Sequence, residues 1–298
     1  MLLPDYLQSN SSPAITKVIL AISAAVKDIA QKIRTANTGK AGSQNTFGEE
    51  QLALDVLSDK IFFAAMQDVK EVKIASSEEQ TEEVVLNPDG EFALSFDPLD
   101  GSSLVDVNLA VGTIFGIWGN GKIIGESGKS LLSSGFAVYG PRTTLVFALE
   151  SFPVEFTLQD DGSWLLTKEK LEISEGKMFA PGNLRACLEN ANYKKLVNFW
   201  IENEYTLRYS GGMVPDLNQI LLKGKGVFSY AGSASHPPKL RLVYECAPLA
   251  RLIEKAGGAS SDGSKSILEN TVKHLDERIT ICVGSKEEVK RFEEFLRV

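Results

Sequence analysis

Apolar residues recur at spacings of three and four through Ile15, Val18, Ile19, Ile22, Val26, Ile29 and Ile33, which predicts a long helix with one buried stripe. Ser12-Pro13 marks its start, a hydroxyl N-cap followed by proline at the first helical position. Residues 37–45 are rich in Gly, Thr and Ser and read as a loop. A second helix is expected over 49–69, carrying Leu52, Val56, Phe63 and Met66. An apolar strand follows at 72–75. Further strands are expected at 92–96, 113–118, 136–139, 145–149, 154–158 and 164–167, separated by Gly, Pro and Asp. That spacing suggests a largely antiparallel sheet.

Beyond residue 170 the pattern changes. Helical stretches at 186–204, 214–222, 248–255 and 286–296 alternate with strands around Val227, at 240–244 and at 279–283. Alternation of this kind predicts an α/β unit. The chain therefore divides into residues 1–170 and 171–298, with no internal repeat.

Composition narrows the function classes. A net charge of −8 disfavours general affinity for nucleic acid or anionic membrane, because both require basic patches. Cys187, Cys246 and Cys282 lie far apart, an odd and sparse set that reads as reduced intracellular thiols. With His236 and His274 as the only histidines, a zinc site with nitrogen ligands is not expected. No apolar run approaches the roughly 20 residues that span a bilayer. Residues 1–12 show neither a signal core nor arginines. The expectation is a cytoplasmic protein, with a plastid location as the alternative if a leader has been removed.

The strongest local signal is FDPLDGSS at 96–103. Asp97 and Asp100 stand three apart at the end of a predicted strand, Pro98 stiffens the turn between them, and Gly101 permits a close approach. Ser102 and Ser103 suit a turn whose free N–H groups hold a phosphate. Upstream, Glu78 and Glu79 add two carboxylates. Oxygen ligands without His or Cys suit Mg²⁺, which beside a bound phosphate stabilises developing charge and activates a water. The bland readings remain open at this level: Asp-Pro and Asp-Gly are common turn formers, and a Glu pair is usually solvated. Residues 125–130 end like a phosphate-binding loop, but Ile123 stands where its first glycine belongs, so they read as a plain loop.

FDPLDGSS, with SEE upstream, LDVLSDK (54–60), VGTIFGIW (111–118), YSGGMVPDLNQIL (209–221) and KLRLVYECAPLARLIEKAGG (239–258), resembles the fructose-1,6-bisphosphatase family over nearly the whole chain. That family belongs to the wider metal-dependent sugar and inositol phosphatases. Within it, GGMVPD (211–216), GGASSDG (257–263) and the tail at 275–296 look most like the sedoheptulose-1,7-bisphosphatases. The resemblance implies a layered α-β-α-β-α fold of α+β or α/β class, with two sheets. It implies a phosphoric monoester hydrolase removing the 1-phosphate of sedoheptulose 1,7-bisphosphate, with fructose 1,6-bisphosphate as alternative or additional substrate. An inositol-type monophosphatase and a catalytically silent, metabolite-sensing relative are the competing readings.

By the same resemblance, Glu78, Asp97, Asp100, Glu245 and the Leu99 carbonyl are metal ligands for two or three Mg²⁺, with Mn²⁺ as substitute. Asp55 and Glu79 organise and deprotonate the attacking water. Gly101, Ser102 and Ser103 bind the scissile phosphate. Tyr209, Tyr230 and Lys239 bind the distal one, Arg208 reaches across a subunit interface, and Met213 and Asp216 lie on the sugar side. Arg241 supports the site or a neighbouring carboxylate. The implied partner is a small sugar bisphosphate, and the implied assembly a homodimer, with a tetramer as alternative. Glu245 is expected to end the predicted 240–244 strand. Glu91, Phe92 and Gly119 stand where animal fructose enzymes carry nucleotide-phosphate donors, so inhibition by AMP is not expected. No cysteine precedes Cys187, which argues against the redox switch of chloroplast relatives.

Overall fold

A computed structural model describes residues 1–35, 40–44, 50–80 and 82–297, with 40–44 and 50–51 described by backbone alone. The chain opens with helices α1 (Leu3–Asn10) and α2 (Pro13–Ile33). Ser12 Oγ accepts the Ile15 N–H at 3.3 Å, the cap expected from Ser12-Pro13. The expected stripe of α2 is buried from Ile15 to Ile29, with Ile33 partly buried at its end. Strands β1 (Lys40–Gln44) and β2 (Glu50–Leu52) pair antiparallel. Part of the segment read as a loop is thus extended; residues 37–39 and 45 lie outside the described residues.

Helix α3 (Ala53–Met66) is shorter than expected and rotated from the apolar reading. Its buried face is Leu54, Asp55, Ser58, Asp59, Phe62 and Met66, so two carboxylates share the face that turns inward. Strands β3 (Val72–Ser77), β4 (Val84–Val85), β5 (Phe92–Asp100), β6 (Val111–Trp118), β7 (Leu131–Tyr139), β8 (Thr143–Ala148), β9 (Val154–Leu158) and β10 (Trp164–Lys168) form an eight-stranded sheet in the order β10-β9-β8-β7-β6-β5-β3-β4. All its neighbours are antiparallel except β3 and β5.

The second half contributes β11 (Ser174–Gly182), α4 (Ala191–Glu202), β12 (Thr206–Leu207), α5 (Met213–Lys223), β13 (Lys225–Tyr230), α6 (Ala247–Lys255), β14 (Ala259–Ser261), β15 (Ile281–Gly284) and α7 (Lys286–Leu296). Its five-stranded sheet runs β12-β11-β13-β15-β14, with β11 parallel to β12 and β13. Three strands of this sheet, β11, β12 and β14, were not expected from the sequence. The predicted strand at 240–244 is also corrected. Leu242–Cys246 is a π-helical turn leading into α6, with the Cys246 N–H bonded to the Arg241 carbonyl.

Period-two burial on both sheet faces dictates the layers. In the large sheet, Phe92, Leu94, Phe115 and Phe147 pack with α1, α2 and α3, while Ala93, Ile114, Phe136 and Val146 face the other way. That opposite face shares one core with Met213, Val214 and Leu217 of α5, Leu249 and Ile253 of α6, and Met178, Phe228 and Ile281 of the small sheet. The outer face of the small sheet, through Phe179, Val227 and Cys282, packs on Trp200 of α4 and Phe292 of α7. The result is an α-β-α-β-α stack, as the resemblance implies. α5 and the turn leading into α6 emerge from its middle layer beside the carboxyl ends of β3 and β5.

Candidate active site

Strand β5 is buried along its whole length, including Asp97 and Asp100. Because β3 runs parallel beside it, both strands end on the same side, and Glu78 leaves β3 with its N–H bonded to the Phe96 carbonyl at 3.0 Å. This brings Glu78 next to Asp97. The π-helical turn supplies the third carboxylate. Its Tyr244 Oη shares a hydrogen bond of 2.8 Å with Ser76 Oγ of β3, and its Val243 carbonyl accepts from Ser95 Oγ of β5 at 3.0 Å. Glu245 is thereby pinned over the strand ends, its Oε2 accepting the Arg241 N–H at 2.6 Å. Carboxylate oxygens of Glu78, Asp97 and Glu245 all lie within 4.8 Å of one another.

Asp100 stands beside this cluster with a different set of contacts. Its two oxygens accept the Met213 and Val214 N–H groups, at 3.3 and 2.7 Å, from the first turn of α5. A carboxylate has further lone pairs, so this contact orients Asp100 without removing it as a donor. Met213 offers its N–H here while its side chain is in the middle core. The Asp97 carboxylate is aimed by the Leu99 N–H at 2.9 Å.

Four acidic groups so close cannot all be charged without compensation. Burial pushes Asp97 and Glu245 well above the usual carboxylate range, and neighbouring carboxylates, Glu78 foremost, push both further. Asp100 is pushed up to about 7, by burial first and against the two N–H bonds that favour its charged form. Arg241 is a cation in contact, its Nη1 paired with Glu78 and its Nε donating to Asp276 at 2.8 Å. The raised pKa values of Asp97, Asp100 and Glu245 mark buried negative charge that the surroundings do not neutralise. Oxygen-only donors with an excess of charge fit a hard divalent cation, which would replace the protons that otherwise neutralise them.

Around the cluster, Gly101 takes a left-handed φ of 75°, where a Cβ would also meet the Gly212 backbone at 3.3 Å. It opens a 3₁₀ turn, Ser102–Val107, with Ser102 half-buried and Ser103 exposed. Asp55 accepts the Leu52 N–H at 3.0 Å and lies near enough to Ser102 for that hydroxyl to favour its charged form, which sets it against this turn. Burial raises its pKa above the usual value. Glu79 is half-buried after β3, with its N–H on Ser77 Oγ at 3.2 Å. Asp59, one turn after Asp55, was missed by sequence reasoning. It accepts from Gln80 Nε2 at 2.8 Å, and its pKa is also raised by burial, with nearby Ser77 acting in the opposite sense. The acidic i,i+4 pair in LDVLSDK was the signal that could have found it.

On the other flank, Tyr209 senses Tyr230 electrostatically, and burial raises both phenols. Tyr230 also senses Glu245 of the cluster. Asp216, buried and pushed up to about 6 by desolvation, holds the turn after Tyr209 through the Ser210 N–H at 2.8 Å. Lys239 is exposed on the loop between β13 and the π-helical turn. Arg208 is exposed as well, its Nη1 donating to the Leu207 carbonyl at 2.9 Å. The segment expected to be a plain loop at 125–130 contains a 3₁₀ turn, Gly128–Ser130; its Lys129 pairs with Glu269 at 3.0 Å, and Ser130 bonds to Glu126.

This geometry agrees with the sequence comparisons. The N-terminal domain model of fructose-1-6-bisphosphatase matches residues 5–169 and its C-terminal domain model residues 173–297. The chain belongs to the fructose-1,6-bisphosphatase family. The chloroplastic sedoheptulose-1,7-bisphosphatase of Spinacia oleracea is 47% identical over 97% of this chain and 76% of its own length. A class 1 fructose-1,6-bisphosphatase of Trichlorobacter lovleyi is 41% identical, over 97% of this chain and 92% of its own. Among solved structures, the holo form of Leishmania major fructose-1,6-bisphosphatase matches with a TM-score of 0.93 at 31% identity, covering 99% of this chain and 98% of that one. A Toxoplasma gondii protein described as a sedoheptulose-1,7 bisphosphatase matches with the same TM-score and coverage at 36% identity. In family terms, the carboxylate cluster is made where the two matched domains meet: Glu78 and Asp97 come from the first, Glu245 from the second.

Proposed function

We propose that this member of the family hydrolyses the 1-phosphate of sedoheptulose 1,7-bisphosphate to sedoheptulose 7-phosphate and phosphate, with fructose 1,6-bisphosphate as a second substrate. The chain is a sugar-phosphate phosphatase, a phosphoric monoester hydrolase. The observation that carries the reading is the oxygen-only cluster of half-buried Glu78 with buried Asp97 and Glu245, beside the Gly101–Ser103 turn. The higher identity to the sedoheptulose enzyme than to the fructose enzyme, 47% against 41%, supports the order of substrates.

Glu78, Asp97, Asp100, Glu245 and the Leu99 carbonyl would hold two or three Mg²⁺, or Mn²⁺ in their place. Such ions supply charge neutralisation at the phosphoryl group and lower the cost of deprotonating water. The Gly101 to Ser103 turn holds the phosphate by its N–H and hydroxyl groups. Asp55, beside Ser102 and with its pKa raised by burial, takes the proton of the attacking water together with Glu79. Tyr209, Tyr230 and Lys239 hold the distal phosphate, and Arg208 serves the neighbouring site of a homodimer, with a tetramer as the alternative. We assign the metal-bearing part to residues 1–170 and the sugar-binding part to 171–298.

No helix among the described residues is long and apolar enough to cross a membrane. Three unpaired thiols favour a reducing compartment, cytoplasm before plastid. Turnover on the two bisphosphates with Mg²⁺ is the test. A higher kcat/KM for the seven-carbon compound is expected. Preference for the fructose compound overturns the substrate order, and no hydrolysis of either turns the chain into a silent relative.

A further inference from the structure

We propose that Arg185 belongs to the grip on the distal phosphate and selects the longer sugar; the inference rests on the bisphosphatase reading above. Strands β11 and β13 run parallel, and their ends coincide, Gly182 opposite Tyr230. A Cβ at position 182 would lie 2.4 Å from Tyr230 Cδ2, so glycine lets the ring lie directly against the end of β11. Asn183, with a left-handed φ of 49°, then turns the chain into the 3₁₀ turn Leu184–Leu188. Its carboxamide donates to the Ala231 and His236 carbonyls at 2.8 and 3.0 Å. These bonds tie the turn to the loop that follows Tyr230 and leads to Lys239.

Arg185 stands on that turn. Its side chain is exposed, and among the described residues it forms no ion pair. It is near enough to Tyr230 for its charge to favour the phenolate, while Glu245 acts on the same hydroxyl in the opposite sense. Burial orders the three groups. Glu245 is 5% exposed, Tyr230 is half-buried and Arg185 is exposed. The register at Gly182 and Tyr230 and the bonds of Asn183 thus set the exposed Arg185 at the rim beside Tyr230, with the buried Glu245 within electrostatic reach of the same ring.

A substrate whose 1-phosphate lies at the buried cluster sends its far end outward, toward the rim that Tyr230 and Arg185 share. The seven-carbon chain carries its second phosphate one carbon farther out than the six-carbon chain. Tyr230 suits both. A guanidinium at the rim, always charged and able to donate two parallel hydrogen bonds to phosphate, favours the longer reach. Arg208 donates to a backbone carbonyl, so it does not duplicate this role within one chain.

The test compares wild type with Arg185→Met, Arg185→Gln and Arg185→Lys on sedoheptulose 1,7-bisphosphate, fructose 1,6-bisphosphate and fructose 1-phosphate, with Mg²⁺. Loss of one charge-assisted contact should raise the KM for the seven-carbon bisphosphate roughly tenfold in the Met and Gln variants. The rise for the six-carbon bisphosphate should be about threefold or less, and kcat should hold within about twofold. Lysine should recover part of the loss. Equal losses on all three substrates would make Arg185 a structural residue and overturn the proposal. So would unchanged KM values on both bisphosphates in a wild type that favours them over fructose 1-phosphate. A wild type indifferent to the second phosphate would instead remove the bisphosphatase reading itself, a failure visible before any variant is made.

Discussion

The two ends of the site are built on opposite physical plans. At the metal end, buried carboxylates are aimed by the protein's own backbone: Asp97 by the Leu99 N–H, Asp100 by Met213 and Val214, Glu245 by Arg241. At the proposed distal end, Arg208 and Lys239 are exposed and Tyr209 is 46% exposed, so the donors proposed for a second phosphate lie in water. The difference separates chemistry from selection. A preorganised, desolvated cluster is strained by its own charge and ready to act on a transition state. A solvated set of donors adds little strain and discriminates through binding.

Removing one cluster carboxylate should give the largest effect. Asp97→Asn is expected to lower kcat at least about a hundredfold, because the charge that binds metal and balances the phosphoryl transfer is gone. The same substitution should raise the melting temperature of the metal-free protein, since it relieves repulsion. A lower metal-free melting temperature in Asp97→Asn would show that the cluster is not strained, and the contrast drawn above would fail.

Asp55→Asn keeps an acceptor for the Leu52 N–H but cannot take a proton. It should lower kcat about a hundredfold while KM stays within about threefold, as expected of a group acting on the water. Parallel losses in metal affinity and rate would place Asp55 among the structural supports of the cluster instead.

Protonation sharpens the same contrast. Asp97, Asp100 and Glu245 have raised pKa values in the folded chain, Asp100 at about 7, against roughly 4 for unfolded carboxylates. The folded state therefore binds protons more tightly. The stability this confers on the metal-free protein is fully present below about pH 4 and is lost as pH rises through about 7. Mg²⁺ competes with those protons, so saturating metal should raise the melting temperature by about 5 °C at pH 8 and by much less at pH 5. Melts in EDTA and in Mg²⁺ at the two pH values check this; equal shifts would count against a metal-binding cluster.

The distal end should respond most weakly. Tyr230→Phe removes one hydroxyl donor and is expected to raise KM for the bisphosphate about three- to tenfold with little change in kcat. A fall in kcat larger than the rise in KM would mean that the distal grip contributes to the transition state as well as to binding.

Much of this protein was legible before folding was considered. The three-and-four spacing of α2, its Ser12-Pro13 start and the 154–158 strand depend on interactions between near neighbours, and they stand as read. FDPLDGSS marked the centre of the candidate site because its turn chemistry is local. Longer motifs in order identified the family, which carried the site residues. The inward face of α3 was not legible, because apolar periodicity does not anticipate Asp55 and Asp59 turned toward a buried polar site. Nor was the π-helical turn, whose apolar Leu242-Val243-Tyr244 reads as strand until Tyr244 is seen on Ser76 and Val243 on Ser95. Those contacts join residues 168 and 148 positions apart. Sequence alone therefore determined which carboxylates the chain possesses and which turn presents them. Only the tertiary structure decided that Glu78, Asp97 and Glu245 meet within one ion's reach, because the forces that bring them together act through packed strands and not along the chain.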